Sequence, residues 1–375
     1  MLVVLPAVLL AASCTGDPDP GPVPSPSSPP NAGAAATELP DSGRDAIVPL
    51  VAPMATDGLR WARGNVPRAV PEVTESLPSL LDDPPGRAVV ASYVPRTDGL
   101  GWPGEAVEFY GIDGRWRRLA LGDLDLPADG WAGYDTYGAG ALSPDGRWWA
   151  GPMIGGMFVV DLEDGAARVL RAKDLGRHGM ASFEWSPDSD ELVLILSGRR
   201  ARVSVPDLVR TPFPRPRAYS LLHADGSYTE CPVVRRVVSE CVTYDRTDQQ
   251  VETRPFPADL QTRWVLPMGW RGDTVWVSAP KNSSGNQRAD WEVLRTDSGF
   301  AASARLVLPR RSDIDSVGPA YDGSRLQLAA LDERLLLAWL ADEGEIVRLL
   351  RTGPLMAGSH DYWDVSLARD LVRIR

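Results

Sequence analysis

The stretch Ala141–Gly151, ALSPDGRWWAG, places a serine, an aspartate, an arginine and two tryptophans within eleven residues. Pro144 favours the first corner of a tight turn, and Gly146 tolerates a positive φ. Asp145 can accept hydrogen bonds from nearby backbone amides and so stabilise a chain reversal. A catalytic serine would need a base and an oxyanion hole, and no Gly-x-Ser-x-Gly elbow occurs in the chain. We therefore predict that Asp145 and Gly146 close a turn before a strand and take no part in catalysis.

The same pattern of turn residues followed by a strand recurs along the chain. Ser-Pro-Asp returns at Ser186, 43 residues after Ser143, and places Asp188 in the position of Asp145. Weaker copies surround Asp322-Gly323 and occur at residues 81–90, 269–277 and 363–372. A repeat of about 40 to 50 residues that contains several short strands is typical of a β-propeller, with one four-stranded sheet per blade.

Between these copies, short alternating apolar runs are separated by glycine turns, and this pattern predicts an all-β fold. Representative runs are residues 156–161 and 191–196. Each turn signal stands between two apolar stretches, as a hairpin requires. The signals are Asp113-Gly114, Asp164-Gly165, Asp225-Gly226 and Glu343-Gly344.

The pattern aromatic-Ser-Pro-Asp-Gly-x-x-apolar resembles the blades of TolB-type and WD-repeat-like β-propellers. The resemblance implies the fold and says little about function, because propellers host many unrelated functions. Arginine almost replaces lysine, since Lys173 and Lys281 are the only lysines. With the N-terminal segment described below, the chain resembles propeller lipoproteins of GC-rich, actinobacterial-type bacteria.

Turn positions near 86, 146, 189, 272, 323 and 369 give the number of blades, if one further turn lies near Cys231. These seven turns predict a seven-bladed β-propeller that is closed by pairing of the N- and C-terminal segments. Residues 45–66 would supply the missing strands and cover edges that otherwise invite aggregation. The alternative is a six-bladed ring that carries residues 45–80 as an outer appendage.

The N-terminal segment predicts export. Residues 2–12 form an apolar run that is too short to span a bilayer and suits the core of a secretory signal. Residues 10–14 resemble the lipobox of bacterial lipoproteins, which implies that Cys14 is acylated; an ordinary cleaved signal is the alternative. We predict a signal segment over 1–14, a Pro-rich disordered tether over 15–45 and a propeller domain over 46–375. The protein would then be anchored to the outer face of the cell membrane by its N-terminal lipid.

Two further cysteines, Cys231 and Cys241, flank the segment PVVRRVVSE, which is nearly symmetric about its centre. This symmetry is typical of two antiparallel strands and their turn. An exported protein favours oxidation of such a pair, so we predict a structural disulfide.

Aromatic residues provide the candidate binding surface. Trp148 and Trp185 lie near the repeated turns, where large rings would pack between blades. Trp102, Trp131 and Trp291 fall in loops or at strand edges and, with His360, are the candidate binding residues. The three histidines are far apart and lack metal-ligand spacing, so we predict no metal site and no cofactor.

The net charge of −11 disfavours nucleic acid and anionic lipid surfaces as partners. Without a recognisable catalytic constellation, the sequence favours a non-catalytic, monomeric binding or scaffold module whose partner is an envelope protein or a cell-wall component. One alternative is a propeller enzyme with a carboxylate-based site at its axis. Another is glycan or cell-wall binding through the loop tryptophans.

Overall fold

The protein is nearly all-β in the computed structural model. The structure describes residues 41–71, 76–94, 106–124, 140–153, 156–171, 180–196, 199–213, 220–223, 225–234, 237–261, 263–271, 273–280, 291–314, 316–322, 325–330, 334–352 and 365–375. Outside the strands these residues form 3-10 turns at Arg44–Ala46 and Leu121–Asp123 and a short helix α1, Ala258–Gln261. Among them, no helix has the length and apolar character needed to cross a membrane.

In the described part of the chain, the strands form six sheets that are each built on four antiparallel strands. Sheet 1 contains β2 (Ala88–Val94), β3 (Ala106–Gly111), β4 (Trp116–Ala120) and β27 (Val365–Leu367). Sheet 2 contains β5 (Ala141–Leu142), β6 (Trp148–Met153), β7 (Gly156–Asp161) and β8 (Ala167–Arg171). Sheet 3 contains β9 (Met180–Trp185), β10 (Glu191–Leu196), β11 (Arg199–Ser204) and β12 (Arg210–Phe213).

The remaining sheets follow in chain order, and the alternating runs of the sequence become their strands. Sheet 4 contains β13 (Ser220–Leu222), β14 (Tyr228–Glu230), β17 (Glu240–Tyr244) and β18 (Gln250–Pro255), and β15 (Val233–Val234) with β16 (Val237–Val238) forms a separate hairpin. Sheet 5 contains β19 (Arg263–Arg271), β20 (Asp273–Pro280), β21 (Trp291–Thr296) and β22 (Ala302–Leu308), to which β1 (Leu50–Val51) adds a fifth, parallel strand. Sheet 6 contains β23 (Ser316–Asp322), β24 (Arg325–Ala330), β25 (Leu335–Leu340) and β26 (Glu345–Arg351).

Sheet 1 is shared by the two ends of the described chain. Its first strand, β27, comes from the C-terminal region and pairs with β2, with Val90 opposite Leu367 and Ser92 opposite Val365. The turn positions near 86 and 369, which the sequence count treated as two blades, therefore belong to one sheet. The predicted extra turn near Cys231 lies earlier, at residues 223–226, where the Gly226 amide bonds the His223 carbonyl at 2.8 Å.

Residues 50–71, here called the strap, follow the last strands of two sheets. β1 pairs with β22 of sheet 5, and Trp61 and Ala69 form parallel bridges to β26 of sheet 6. Residues 63–65 also exchange backbone hydrogen bonds with residues 373–375, so the N- and C-terminal segments do pair. This pairing lies outside the four-stranded sheets, and β27 is completed by β2 instead of by residues 45–66. The prediction that residues 45–66 supply the partner strands of the last sheet is therefore wrong.

Apolar side chains of neighbouring sheets form the core. Trp149 of sheet 2 lies edge-on to Phe109 of sheet 1, with ring centroids 6.0 Å apart, and both are fully buried. Trp148 and Trp185 belong to one cluster between sheets 2 and 3, where the sequence predicted that they pack. Burial of each such ring removes about 150–250 Å² of surface from water, which makes these contacts the main stabilising term between sheets.

Candidate functional site

The repeated Ser-Pro-Asp turn uses its polar groups to hold its own backbone. The Ser143 hydroxyl donates to the Asp145 carboxylate at 2.6 Å and accepts the Trp148 amide at 2.9 Å. Asp145 also accepts the Arg147 amide, and Gly146 adopts a φ of +72°. The serine oxygen is thus held between two partners, and the Ser143 side chain is completely buried.

The second copy repeats these contacts. The Ser186 hydroxyl donates to Asp188 and accepts the Glu191 amide at 2.9 Å, and Asp188 accepts the Asp190 amide. Ser189 takes the left-handed position of the glycine, with a φ of +69°. The Asp322 backbone closes the corresponding end of β23 opposite Arg325, whereas Gly323 lies outside the described residues.

Neighbouring turns are connected by hydrogen bonds. The Asp145 amide donates to the Ser189 hydroxyl at 3.0 Å, and the Asp370 amide donates to the Pro144 carbonyl at 2.8 Å. Burial, together with the nearby Asp188, Asp145 and Glu191 carboxylates, raises the pKa of Asp190. The turns therefore tie sheets 1, 2 and 3 to one another.

A third turn of the same type was not recognised as a repeat in the sequence, although its Asp-Gly pair was noted. His223 replaces the serine, and its imidazole contacts the Thr229 hydroxyl at 2.7 Å. Burial lowers the pKa of His223. The Asp225 carboxylate accepts the Ser227 amide, as Asp145 accepts that of Arg147. Asp-Gly before an alternating run was the only signal for this copy.

Of the predicted binding residues, the structure describes only Trp291. Trp102, Trp131, His360 and the predicted lipidation site Cys14 lie outside the described residues. Trp291 begins β21 and packs, half-buried, against the apolar cluster of sheets 5 and 6.

Among the described residues, a cavity of about 370 Å³ lies on one face of sheet 4 and is here called the sheet-4 cavity. Most of the residues that line it are polar, and none of these was singled out in the sequence. Its lining residues are Glu230, Pro232, Glu240, Val242, Tyr244, Gln250 and Thr253.

Strand register brings these distant residues to one face. Glu230 of β14 stands opposite Val242 of β17, and Val242 stands opposite Thr253 of β18. The register shifts between Thr243 and Tyr244, so Tyr244 faces Gln250 and one extra residue, Val251, is accommodated. Gln250 and Thr253 would point to opposite faces of a regular strand, and the bulge directs both into the cavity. The alternation alone predicts that 240, 242 and 244 share a face, but not this shift.

The predicted disulfide joins two sides of the cavity. Cys231 and Cys241 are bonded, with their Cα atoms 4.2 Å apart, and the residues between them form the predicted hairpin through β15 and β16. Cys231 lies between the lining residues Glu230 and Pro232 in the sequence, and Cys241 directly follows Glu240. The covalent link therefore fixes the spacing of the two glutamates.

The polar groups of the sheet-4 cavity differ in exposure and in hydrogen-bonding character. Glu230 is 3% exposed, whereas Glu240 lies at the exposed end of β17. The Gln250 amide nitrogen donates one of its two hydrogens to the Thr253 hydroxyl at 2.8 Å. The Tyr244 ring stacks on Tyr228 at a centroid distance of 5.1 Å. The sheet-4 cavity thus contains side chains that can donate and side chains that can accept hydrogen bonds. Among the described residues, no cluster of three or more metal-ligating side chains occurs.

Comparisons with known proteins find only distant structural likenesses. No protein-family model and no curated protein sequence matches the chain. The tricorn protease has a TM-score of 0.42 at 10% identity; the match covers 65% of this chain and 28% of that one. The β-propeller domain of the Trilobed protease from Pyrococcus furiosus has a TM-score of 0.42 at 13% identity; the match covers 70% of this chain and 82% of that one. The Cps50 (Swd1) β-propeller domain of Myceliophteria thermophila has a TM-score of 0.38 at 13% identity; the match covers 77% of this chain and 89% of that one.

The chain thus spans less than a third of the tricorn protease. Likenesses at this level of identity and TM-score carry no argument about activity or partners. Propeller folds host enzymes and non-catalytic modules alike, so function must be argued from the residues of this chain.

Proposed function

We propose that the protein is a non-catalytic, lipid-anchored extracytoplasmic binding module built on a six-bladed β-propeller. The observation that carries this proposal is the use of the repeated Ser-Asp pairs. Ser143 with Asp145 and Ser186 with Asp188 close turns and connect sheets, so the residues with the most catalytic appearance serve the scaffold. A rigid scaffold that presents variable loops suits recognition of a partner protein in the envelope.

Six blades, the alternative number, account for the sheets better than seven. Counting the positions near 86 and 369 as one sheet and adding the turn at 223–226 gives one turn for each of the six sheets. The ring closes when the C-terminal strand β27 joins the N-terminal strands of sheet 1. The strap then lies outside the ring, as the alternative with an outer appendage requires.

The membrane anchor is the predicted acyl group on Cys14. The described chain begins beside sheet 5, where the Ser42 hydroxyl donates to Asp259 and Arg44 pairs with Glu292 at 2.9 Å. The tether would therefore leave the body at this sheet. Metabolic labelling with a lipid probe should mark the wild type, and Cys14→Ser should abolish the label. A label that persists in Cys14→Ser would disprove the anchor.

The binding function is tested with the full chain isolated from its native envelope under mild detergent. We expect at least one envelope protein to co-purify specifically with the wild-type chain. A Cys14→Ser chain that carries a foreign anchor serves as the control for localisation. Failure to retain any protein above an unrelated lipoprotein of similar charge would reject the scaffold role.

A carboxylate-based propeller enzyme is the second candidate, and one observation favours it. Glu230 and Glu240 share one cavity, as the two carboxylates of many hydrolases do. If the protein is an enzyme, it should hydrolyse members of a nitrophenyl glycoside panel, and Glu240→Gln should abolish turnover. Hydrolysis that Glu240→Gln eliminates would replace the non-catalytic proposal; no hydrolysis across the panel would reject this candidate.

A further inference from the structure

We propose that a group of five exposed arginines, where the strap meets sheet 6 and the C-terminal residues, binds the anionic lipid surface of a membrane. The group, here called the arginine patch, consists of Arg63, Arg68, Arg334, Arg351 and Arg373. This interaction goes beyond the scaffold role, and it requires neither the partner protein nor an acyl group on Cys14. It brings the folded body itself into contact with the membrane.

Three members of the patch meet at the end of sheet 6. The Arg351 amide, at the end of β26, donates to the Arg68 carbonyl of the strap at 2.8 Å. Beside it, the Thr352 amide donates to the Arg334 carbonyl at 2.9 Å. Leu335, the neighbour of Arg334, is buried, whereas the three arginine side chains are exposed. Backbone hydrogen bonds thus hold these arginines at adjacent positions on the surface.

The strap and the C-terminal residues supply the other two members. The Asn65 amide donates to the Arg373 carbonyl at 3.2 Å, and Arg63 lies two residues before Asn65. The Arg68 guanidinium lies 6.0 Å from the centroid of the Trp61 ring, and Trp61 lies two residues before Arg63. Arg68 therefore connects these two arginines with the group at the end of sheet 6.

The positive charge of the patch is not compensated within the part of the chain that the structure describes. Two carboxylates of the same region have other arginine partners: Glu345 pairs with Arg60 at 2.6 Å, and Asp57 lies 3.7 Å from Arg348. The five patch arginines form no ion pair with any described carboxylate. Like charges that lie close together repel one another, so an external anion that neutralises them is bound favourably.

The net charge of −11 opposes an anionic surface mainly at long range. At physiological ionic strength, exposed charges farther apart than about 8 Å are largely screened from each other, so the local charge decides the interaction at contact. Guanidinium groups also match the geometry of phosphate oxygens, which they bind in pairs. Each arginine near an anionic lipid surface strengthens binding about five-fold.

Exposed apolar side chains of the same segment favour a lipid surface over a soluble polyanion. Three large apolar side chains just before or within the strap are more than half exposed: Val48, Val51 and Met54. The segment reaches the patch at Thr56, whose carbonyl accepts the guanidinium of Arg348, and Arg348 belongs to the same strand as Arg351. A lipid interface accommodates apolar side chains and guanidinium groups together, whereas a soluble polyanion accommodates only the charges.

The experiment uses the chain from Thr15 onward, which keeps every residue that the structure describes and lacks the predicted signal segment with its cysteine. Its cosedimentation is measured with vesicles of phosphatidylcholine and with vesicles of equal parts phosphatidylcholine and phosphatidylglycerol. We expect binding only to the anionic vesicles at about 0.1 M salt, and loss of this binding at about 1 M salt, where the screening length falls to about 3 Å. No binding to the anionic vesicles, or equal binding to both kinds, would overturn the proposal.

Matched arginine variants test whether the patch is responsible. Arg351→Gln should weaken binding to the anionic vesicles about five-fold, and the double variant with Arg63→Gln about 25-fold. Arg171→Gln is the control, because Arg171 is an exposed arginine at the end of β8 in sheet 2. It should change binding less than about two-fold, since its charge lies outside the patch. Equal effects of Arg171→Gln and Arg351→Gln would show that only the general charge of the protein acts, which contradicts a defined site.

A second variant separates a lipid surface from a soluble polyanion. Val51→Ser combined with Met54→Ser removes apolar side chains but no charge, so it should weaken binding to the anionic vesicles about five-fold and leave any binding to polyphosphate unchanged. Unchanged vesicle binding would show that the patch recognises charge alone and would reject the lipid surface in favour of a soluble polyanion. Neither assay involves the envelope protein or the acyl group, so failure of this proposal is distinct from failure of the scaffold role or of the anchor.

Discussion

In the repeated turns, the backbone conformation and the space around it restrict which residue can stand at a position. Gly146 has a φ of +72°, and a Cβ built on it would lie 2.3 Å from the Ala88 carbonyl oxygen. The Ala88 amide in turn donates to the Gly146 carbonyl at 2.8 Å. The glycine therefore serves both the turn and the close approach of sheets 1 and 2, a function that the Ser-Pro-Asp-Gly motif does not reveal by itself.

Gly146→Ala should destabilise the protein by about 3 kcal/mol or more. The left-handed backbone costs an L-residue about 1–2 kcal/mol, and the clash with the backbone of sheet 1 adds to it. Gly344→Ala is the control, because Gly344 has a φ of +64° but no atom lies within 4 Å of the position that its Cβ would take. That variant should lose about 1–2 kcal/mol in urea unfolding. Equal losses at the two positions would show that the contact with Ala88 contributes nothing.

The sequence identified turns better than it identified surfaces. Ser143 and Ser186 are recognisable because the turn needs nearly the same residues in order, whereas His223 replaces the serine in the third copy and hides it. The sheet-4 cavity could not be predicted, because Glu230 and Glu240 meet only through the pairing of β14 with β17. The bulge at Val251, which brings Gln250 to the same face as Thr253, leaves no mark on the local sequence.

At the scale of elements, hairpins are stabilised by side chains that belong to the turn. The β3–β4 hairpin has Asp113 in its turn, and the carboxylate pairs with the buried Arg117 at 2.7 Å. The Arg117 hydrogen bond lowers the pKa of Asp113 from its ordinary value of 3.8 to about 2. Since the folded state favours the ionised form, this contribution to stability is present above about pH 4 and is lost as the pH falls toward about 2.

Asp113→Asn should therefore lower the stability at about pH 7, and its difference from the wild type should shrink between about pH 4 and pH 2. The loss at neutral pH should stay below about 1 kcal/mol, because the carboxylate is partly exposed and screened. Asp164→Asn, in the corresponding Asp-Gly turn of sheet 2, is the control, since its side chain bonds the Ala166 amide. Chemical unfolding at several pH values measures both. If the difference in stability between Asp113→Asn and the wild type stays constant across the acidic range, the ion pair with Arg117 does not stabilise the fold.

The β15–β16 hairpin depends on its disulfide, since it has only two residues in each strand. Cys231 and Cys241 close a loop with a sequence separation of 10, and chain entropy assigns such a loop about 2–3 kcal/mol. The double variant Cys231→Ser, Cys241→Ser should lose this amount, and a reductant should lower the stability of the wild type but not of the variant. Identical unfolding midpoints with and without reductant would show that the bond does not stabilise the fold.

At the scale of the whole molecule, segments that are far apart in the sequence pair with one another. Sheet 1 takes one strand from the C-terminal region and three from residues 88–120, and the strap spans sheets 5 and 6 beside it. A count of turns along the sequence cannot detect a sheet that two distant segments share, so it treated the turns near 86 and 369 as two separate blades. Strap residues lack the alternation of a regular strand, and their parallel bridges to β26 could not be predicted.

The strap packs closely against the C-terminal residues at Gly64, and this contact can be tested without removing any segment. A Cβ on Gly64 would lie 1.7 Å from the Arg373 carbonyl oxygen, so Gly64→Ala must push the strap away from residues 373–375 and break their mutual hydrogen bonds. We expect a loss of about 2–4 kcal/mol in urea unfolding. Gly58→Ala is the matched control in the same segment, because nothing lies within 4 Å of a Cβ there; it should change stability by less than about 1 kcal/mol. Faster cleavage of Gly64→Ala by a nonspecific protease would locate the damage at the opened ends. If both variants unfold like the wild type, the contact between the strap and residues 373–375 contributes nothing to the stability of the fold.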